Sequence, residues 1–154
     1  MRRNVMAALG LAFLTVACGG EPDVTDPYAD LAEGELLVRF EANAETADGE
    51  CNPNVHYALR TTEAYILLNA SYEIVDQDLT GSGVSLVNED DSGVARTTME
   101  LNMFGPYSAA CADLSLRVQA LTCRISDGDD AQPCPTPKFV GTDMFASFRG
   151  LPDY

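Results

Sequence analysis

The chain has 154 residues, with 24 acidic and nine basic side chains, one histidine, no tryptophan and a formal charge of −15. That length supports one domain with a modest core. The charge makes nucleic acid and anionic lipid headgroups poor partners, since both need a basic footprint.

The chain opens with Met1-Arg2-Arg3 and an uncharged run from Val5 to Ala17. Arg2 and Arg3 form a positive leader, the run is its apolar centre, and small Ala17 suits a peptidase cleavage position. Thirteen residues are too few to span a bilayer, which takes about 20 in a helix. Leu14-Thr15-Val16-Ala17-Cys18 resembles the lipobox of bacterial lipoproteins. The resemblance implies removal of the signal peptide, residues 1–17, and lipidation of Cys18, with a diacylglycerol on its sulfur and usually a third chain on its amine. Two or more chains hold a protein stably at a membrane, each buried methylene contributing about 0.8 kcal/mol. Gly19 in place of Asp implies sorting to the outer membrane. Removing Arg2 and Arg3 leaves seven bases against 24 acids, a net charge of −17 on residues 18–154.

Residues 19–35 carry six acids, two prolines and no base. Such a stretch buries too little apolar surface to offset its ordering entropy, so residues 18–34 are expected to be a flexible acidic tether. Residues 35–154 are expected to be the folded domain.

Period-two alternation, the mark of half-buried strands, dominates that domain. Leu36, Val38, Phe40 and Ala42 alternate with Leu37, Arg39 and Glu41; Val55, Tyr57 and Leu59 with His56, Ala58 and Arg60. Ala64, Ile66, Leu68, Ala70, Tyr72 and Ile74 share one face of a run that its Tyr, Ile and Val content marks as strand over helix. Ala95, Thr97, Met99, Leu101 and Met103 follow, then Leu114, Leu116, Val118 and Ala120, and a last strand lies within Phe139–Arg149. Turns are expected at Asp48-Gly49, Gly81-Ser82-Gly83, Asp91-Ser92-Gly93, Gly105-Pro106 and Asp127-Gly128. Six or seven strands between polar turns predict an all-β fold, a two-sheet antiparallel sandwich.

Four cysteines remain after Cys18: Cys51, Cys111, Cys123 and Cys134. An even number in an exported chain predicts two disulfides. Asp113 to Cys123 reads as one extended strand, which separates Cys111 from Cys123 by about 35–40 Å, far beyond disulfide reach. Cys123 and Cys134 bracket a short polar loop, so they are expected to pair, leaving Cys51 with Cys111. No Cys-x2–4-Cys knuckle is present for zinc. The architecture resembles immunoglobulin-like sandwiches, with Cys51 and Cys111 spaced for a bridge between sheets. It lacks the tryptophan that antibody domains pack on that bridge.

No catalytic or cofactor motif is present: no nucleophile elbow, no paired-histidine helix and no phosphate loop. His56 sits on the polar face of its strand, with Glu63 nearby in sequence. Carboxylates bunched in loops suit a hard cation, calcium above all outside the cytoplasm. Asn88, Asp90 and Ser92 alternate before Gly93, and Asp127, Asp129 and Asp130 cluster in a second loop. The twelfth position from Asn88 is Met99, where an EF-hand needs glutamate. Asp and Asn also occupy loops simply because they make good turns. The expectation is a non-enzymatic, membrane-anchored envelope protein that binds another envelope protein or an extracellular ligand. The alternatives are a calcium-dependent adhesion or carbohydrate-binding module, and a small hydrolase built on carboxylates or His56.

Overall fold

The computed structural model describes residues 28–61, 65–74, 77–80, 84–87, 93–101, 107–125 and 130–151. The alternating segments form strands β1 (Leu36–Glu41), β2 (Asn54–Arg60), β3 (Tyr65–Ile74), β6 (Val94–Glu100) and β7 (Ser115–Ile125). Five short strands complete the set among the described residues: β4 (Gln77–Thr80), β5 (Val84–Leu86), β8 (Gln132–Pro133), β9 (Pro137–Val140) and β10 (Ser147–Arg149). They form two sheets. Sheet one runs β6-β2-β1-β9; sheet two runs β10-β7-β3-β4, with β5 also on β3 and β8 on β7. The all-β, two-sheet expectation holds.

Both sheets are mixed, which corrects the wholly antiparallel expectation. β9 joins β1 in parallel, and β10 joins β7 in parallel. The cause lies in the last segment, expected as one strand within Phe139–Arg149. It breaks at Gly141, whose φ of 73° is left-handed, and a one-turn 3-10 helix, Thr142–Met144, follows. The chain there crosses from one sheet to the other, as strands do at sandwich corners. A Cβ on Gly141 would collide with the Phe40 carbonyl oxygen, so the corner tolerates only glycine.

β4 and β5 share one edge of β3 with one register, Ser71 opposite Thr80 and Leu67 opposite Val84. The turn expected at Gly81-Ser82-Gly83 lies between them, outside the described residues. Val87 then bridges to Arg96 of β6, linking the two sheets along this side. The opposite side, between β9 and β10, has no such bridge among the described residues.

The core follows the alternation. Leu36, Val38, Phe40, Val55, Tyr57 and Leu59 of sheet one face Ala70, Tyr72, Ile74, Leu116 and Val118 of sheet two, all buried. Burying each such aliphatic side chain contributes about 1.5–3 kcal/mol. In β7 the phase shifts after Val118: Leu121 and Cys123 are buried while Ala120 is not. The β3–β7 register slips at the same place, a bulge that strict alternation does not anticipate. Phe40 packs edge-on against Phe145 and Phe148, at 5.4 and 5.9 Å between centroids, so the C-terminal corner is wedged with aromatic rings.

The two disulfides are those expected, Cys51–Cys111 and Cys123–Cys134, with Cα separations of 4.7 and 4.8 Å. Cys51 precedes β2 and Cys111 precedes β7, so the first ties the sheets together near their ends.

The tether expectation needs correction over residues 28–34. Leu31 is buried on the outer face of sheet one, over Leu37, Ala58 and Val94. Arg60 Nη2 donates to the carbonyls of Tyr28 and Ala29, each at 3.2 Å, and the Arg96 guanidinium lies 5.6 Å over the Tyr28 ring. Two apolar side chains and two arginines hold this acidic segment down. They also explain why Leu37 and Ala58, assigned to the polar face by alternation, are buried.

Candidate functional site

The unbridged side of the sandwich holds a cleft of about 480 Å³. Each feature of it traces to the chain. β7 carries Ala120–Thr122 along one side, and the Cys123–Cys134 disulfide pins the segment after the 126–129 loop against β7. Cys134 N–H also donates to Leu121 O at 3.2 Å. That pinned segment contains Pro133, Pro135 and Pro137, whose fixed φ stiffens the wall. Phe139 of β9 and Leu151, just past β10, supply apolar surface from the other two sides. Gly150 lets Phe139 approach closely, since a Cβ there would stand 3.3 Å from Phe139 Cε2. The lining is mostly apolar, with Thr122 and Thr136 as polar points. Its size falls in the usual range for small-molecule sites, about 300–1,000 Å³.

The residues singled out by sequence are placed elsewhere. His56 Nδ1 bonds Thr98 Oγ1 at 2.8 Å across β2 and β6. Its Nε2 is screened from solvent, 3.0 Å from Glu41 Oε2, without hydrogen-bond alignment. The same Glu41 oxygen holds Arg39 Nη2 at 3.0 Å. The carboxylate beside His56 is therefore Glu41, diagonally across on β1 next to the directly opposed Arg39; Glu63 lies outside the described residues. The imidazole is clamped between two strands, and it lines neither the cleft nor any depression described below.

Cys18, Asn88, Asp90, Ser92, Asp127 and Asp129 lie outside the described residues. Asp130 is described and exposed, ahead of β8. Among the described residues, no group of three or more His, Cys, Asp or Glu side chains could hold a metal ion. Nor is any described helix long and apolar enough to cross a membrane.

At the centre of the core, the Tyr57 and Tyr72 hydroxyls hydrogen-bond each other between the sheets. Burial raises the Tyr57 hydroxyl above its ordinary pKa, and the bond to Tyr72 offsets only part of this. Burial raises Tyr72 further still, helped by the neighbouring Tyr57. Both are locked as neutral phenols, a structural pair with no path to the cleft.

Sequence reasoning passed over the cleft. Its one local signal is the Pro133-x-Pro135-x-Pro137 repeat around Cys134. The other walls come from strands far apart in the chain. No protein-family model, curated protein or solved structure matches this chain.

Proposed function

We propose that the protein is a lipid-anchored binding module of the cell envelope, held at the membrane through Cys18 and taking an apolar ligand group into the cleft between β7 and β9. The cleft carries this reading. It is concave, mostly apolar, stiffened by a disulfide and prolines, and sited where the sandwich leaves its layers unbridged. The lipobox resemblance and the paired cysteines support an exported, anchored location. The described structure begins at Tyr28, ten residues after Cys18. A ten-residue link reaches at most about 33–36 Å, so the domain stays close to the headgroups, and a ligand drawn from the envelope surface is within range.

Two measurements test the reading. Cys18→Ala is expected to release the protein from the membrane fraction; unchanged partitioning would remove the anchor. The uncharged fluorophore phenylnaphthylamine is expected to brighten on binding the purified protein. Thr136→Trp, a bulky group at the exposed lip of the cleft, should abolish that binding, and Glu45→Trp on a remote loop should preserve it. Equal binding to both variants would refute the cleft as the ligand site.

A further inference from the structure

Gly150 lines two depressions at once: the apolar cleft, and a shallower one of about 540 Å³ formed with Glu73, Arg117, Gln119 and Arg149. In the parallel ladder, Arg149 stands directly beside Arg117. Like charges side by side on neighbouring strands repel, and residues 18–154 have only seven basic side chains to place. Glu73 Oε2 pairs with Arg117 Nη1 at 2.8 Å and balances one of the two charges. Arg149 is exposed and makes no ion pair among the described residues. Gln119 Oε1 accepts from Ser71 Oγ at 2.8 Å, so its amide N–H groups are what it offers outward. Register sets Arg149 beside Arg117 and Arg117 beside Glu73, and Gly150 joins the arginine end to the cleft.

We infer that the ligand of the cleft is an amphiphile bearing an oxyanion: its apolar part enters between β7 and β9, and its carboxylate, sulfate or phosphate crosses Gly150 onto Arg149 and Arg117. This rests on the cleft being the ligand site. Guanidinium forks present paired donors that match two oxygens of one anion, a geometry lysine does not offer. Such an anion relieves the repulsion between the two arginines. A detached amphiphile and a membrane lipid present the same chemistry.

The test compares two fluorophores on the purified protein: anilinonaphthalene sulfonate and uncharged phenylnaphthylamine. The sulfonate is expected to bind more tightly than the neutral probe. Arg149→Gln and Arg117→Gln should each weaken it about tenfold, the worth of one charge-assisted hydrogen bond, and leave the neutral probe unchanged. Glu73→Gln, which removes the competing carboxylate, should tighten it. Displacement by dodecanoate in solution identifies a detached amphiphile. Displacement by phosphatidylglycerol vesicles alone identifies a bilayer lipid. Displacement by neither, or sulfonate binding indifferent to Arg149→Gln, overturns the inference while neutral-probe binding still upholds the cleft. Failure of the neutral probe itself marks the failure of the cleft reading.

Discussion

The Tyr57–Tyr72 pair joins the two sheets through one buried hydrogen bond, and its removal has a calculable cost. Tyr57 of β2 is fully buried and Tyr72 of β3 is 2 % exposed. Each hydroxyl has the other as its partner. Tyr72→Phe deletes one hydroxyl and strands the other in an apolar interior. The stranded group then bears its full desolvation penalty, about 1–3 kcal/mol. Tyr57→Phe should cost the same for the same reason. The double variant removes donor and acceptor together at nearly constant shape, so it should cost less than either single change. The coupling in a double-mutant cycle, the sum of the singles less the double, therefore exceeds the cost of either single change. For a domain of this size, 1 kcal/mol moves Tm by about 4 °C. Urea unfolding followed by circular dichroism gives the four free energies, provided the m-values agree. Single variants within about 0.5 kcal/mol of the parent, or a double variant as costly as the sum of the singles, would refute the account.

The same pair governs alkaline stability. Both phenols are raised above the ordinary value of 10.0, so the fold retains protons that the unfolded chain releases. Their contribution is complete below pH 10 and is lost as pH rises above it. The double phenylalanine variant should have the flatter stability profile between pH 10 and 12, and coincident profiles would contradict this. The two disulfides should differ in worth, closing loops with sequence separations of 60 and 11. Chain entropy assigns about 4 kcal/mol to Cys51–Cys111 and about 3 kcal/mol to Cys123–Cys134; paired alanine variants measured by urea unfolding check the order, and a reversal would refute it. Gly141→Ala combines a left-handed φ with a collision at the Phe40 carbonyl, for a cost of about 2–4 kcal/mol. Gly49→Ala, with φ 82° and open space around it, should cost only about 1 kcal/mol. Equal melting shifts would show that the corner at Gly141 yields.

Much of the fold was legible because its signals are local. Leu36-x-Val38-x-Phe40 and Val55-x-Tyr57-x-Leu59 alternate with the period of a pleated strand, and their inward sides form the core. The run before Ile74 was resolved as strand by its β-branched and aromatic content, and β3 occupies Tyr65–Ile74. The disulfide pairing followed from spacing, since an extended β7 separates Cys111 from Cys123 and a short loop joins Cys123 to Cys134. The docking of Tyr28 and Leu31 was not legible. Two apolar residues in an acidic stretch look like a tether until Leu37, Ala58, Arg60 and Arg96 supply a surface for them. The bulge in β7 was equally hidden, because an extra residue in a ladder is defined only by the partner strand.

By itself, then, the sequence determined the all-β class, the main strands, the cysteine pairs and an N-terminus that resembles a lipoprotein signal. Each depends on periodicity, spacing or residue type within a short window. Only the tertiary structure decided that the last segment divides between two sheets, that their parallel additions leave one side unbridged, and that a cleft opens there. It also set Arg149 beside Arg117 and His56 against Glu41. These are adjacencies between residues 15 to 32 positions apart, created when strands choose neighbours. That choice is made by the packing of whole faces, a property no single stretch of chain contains.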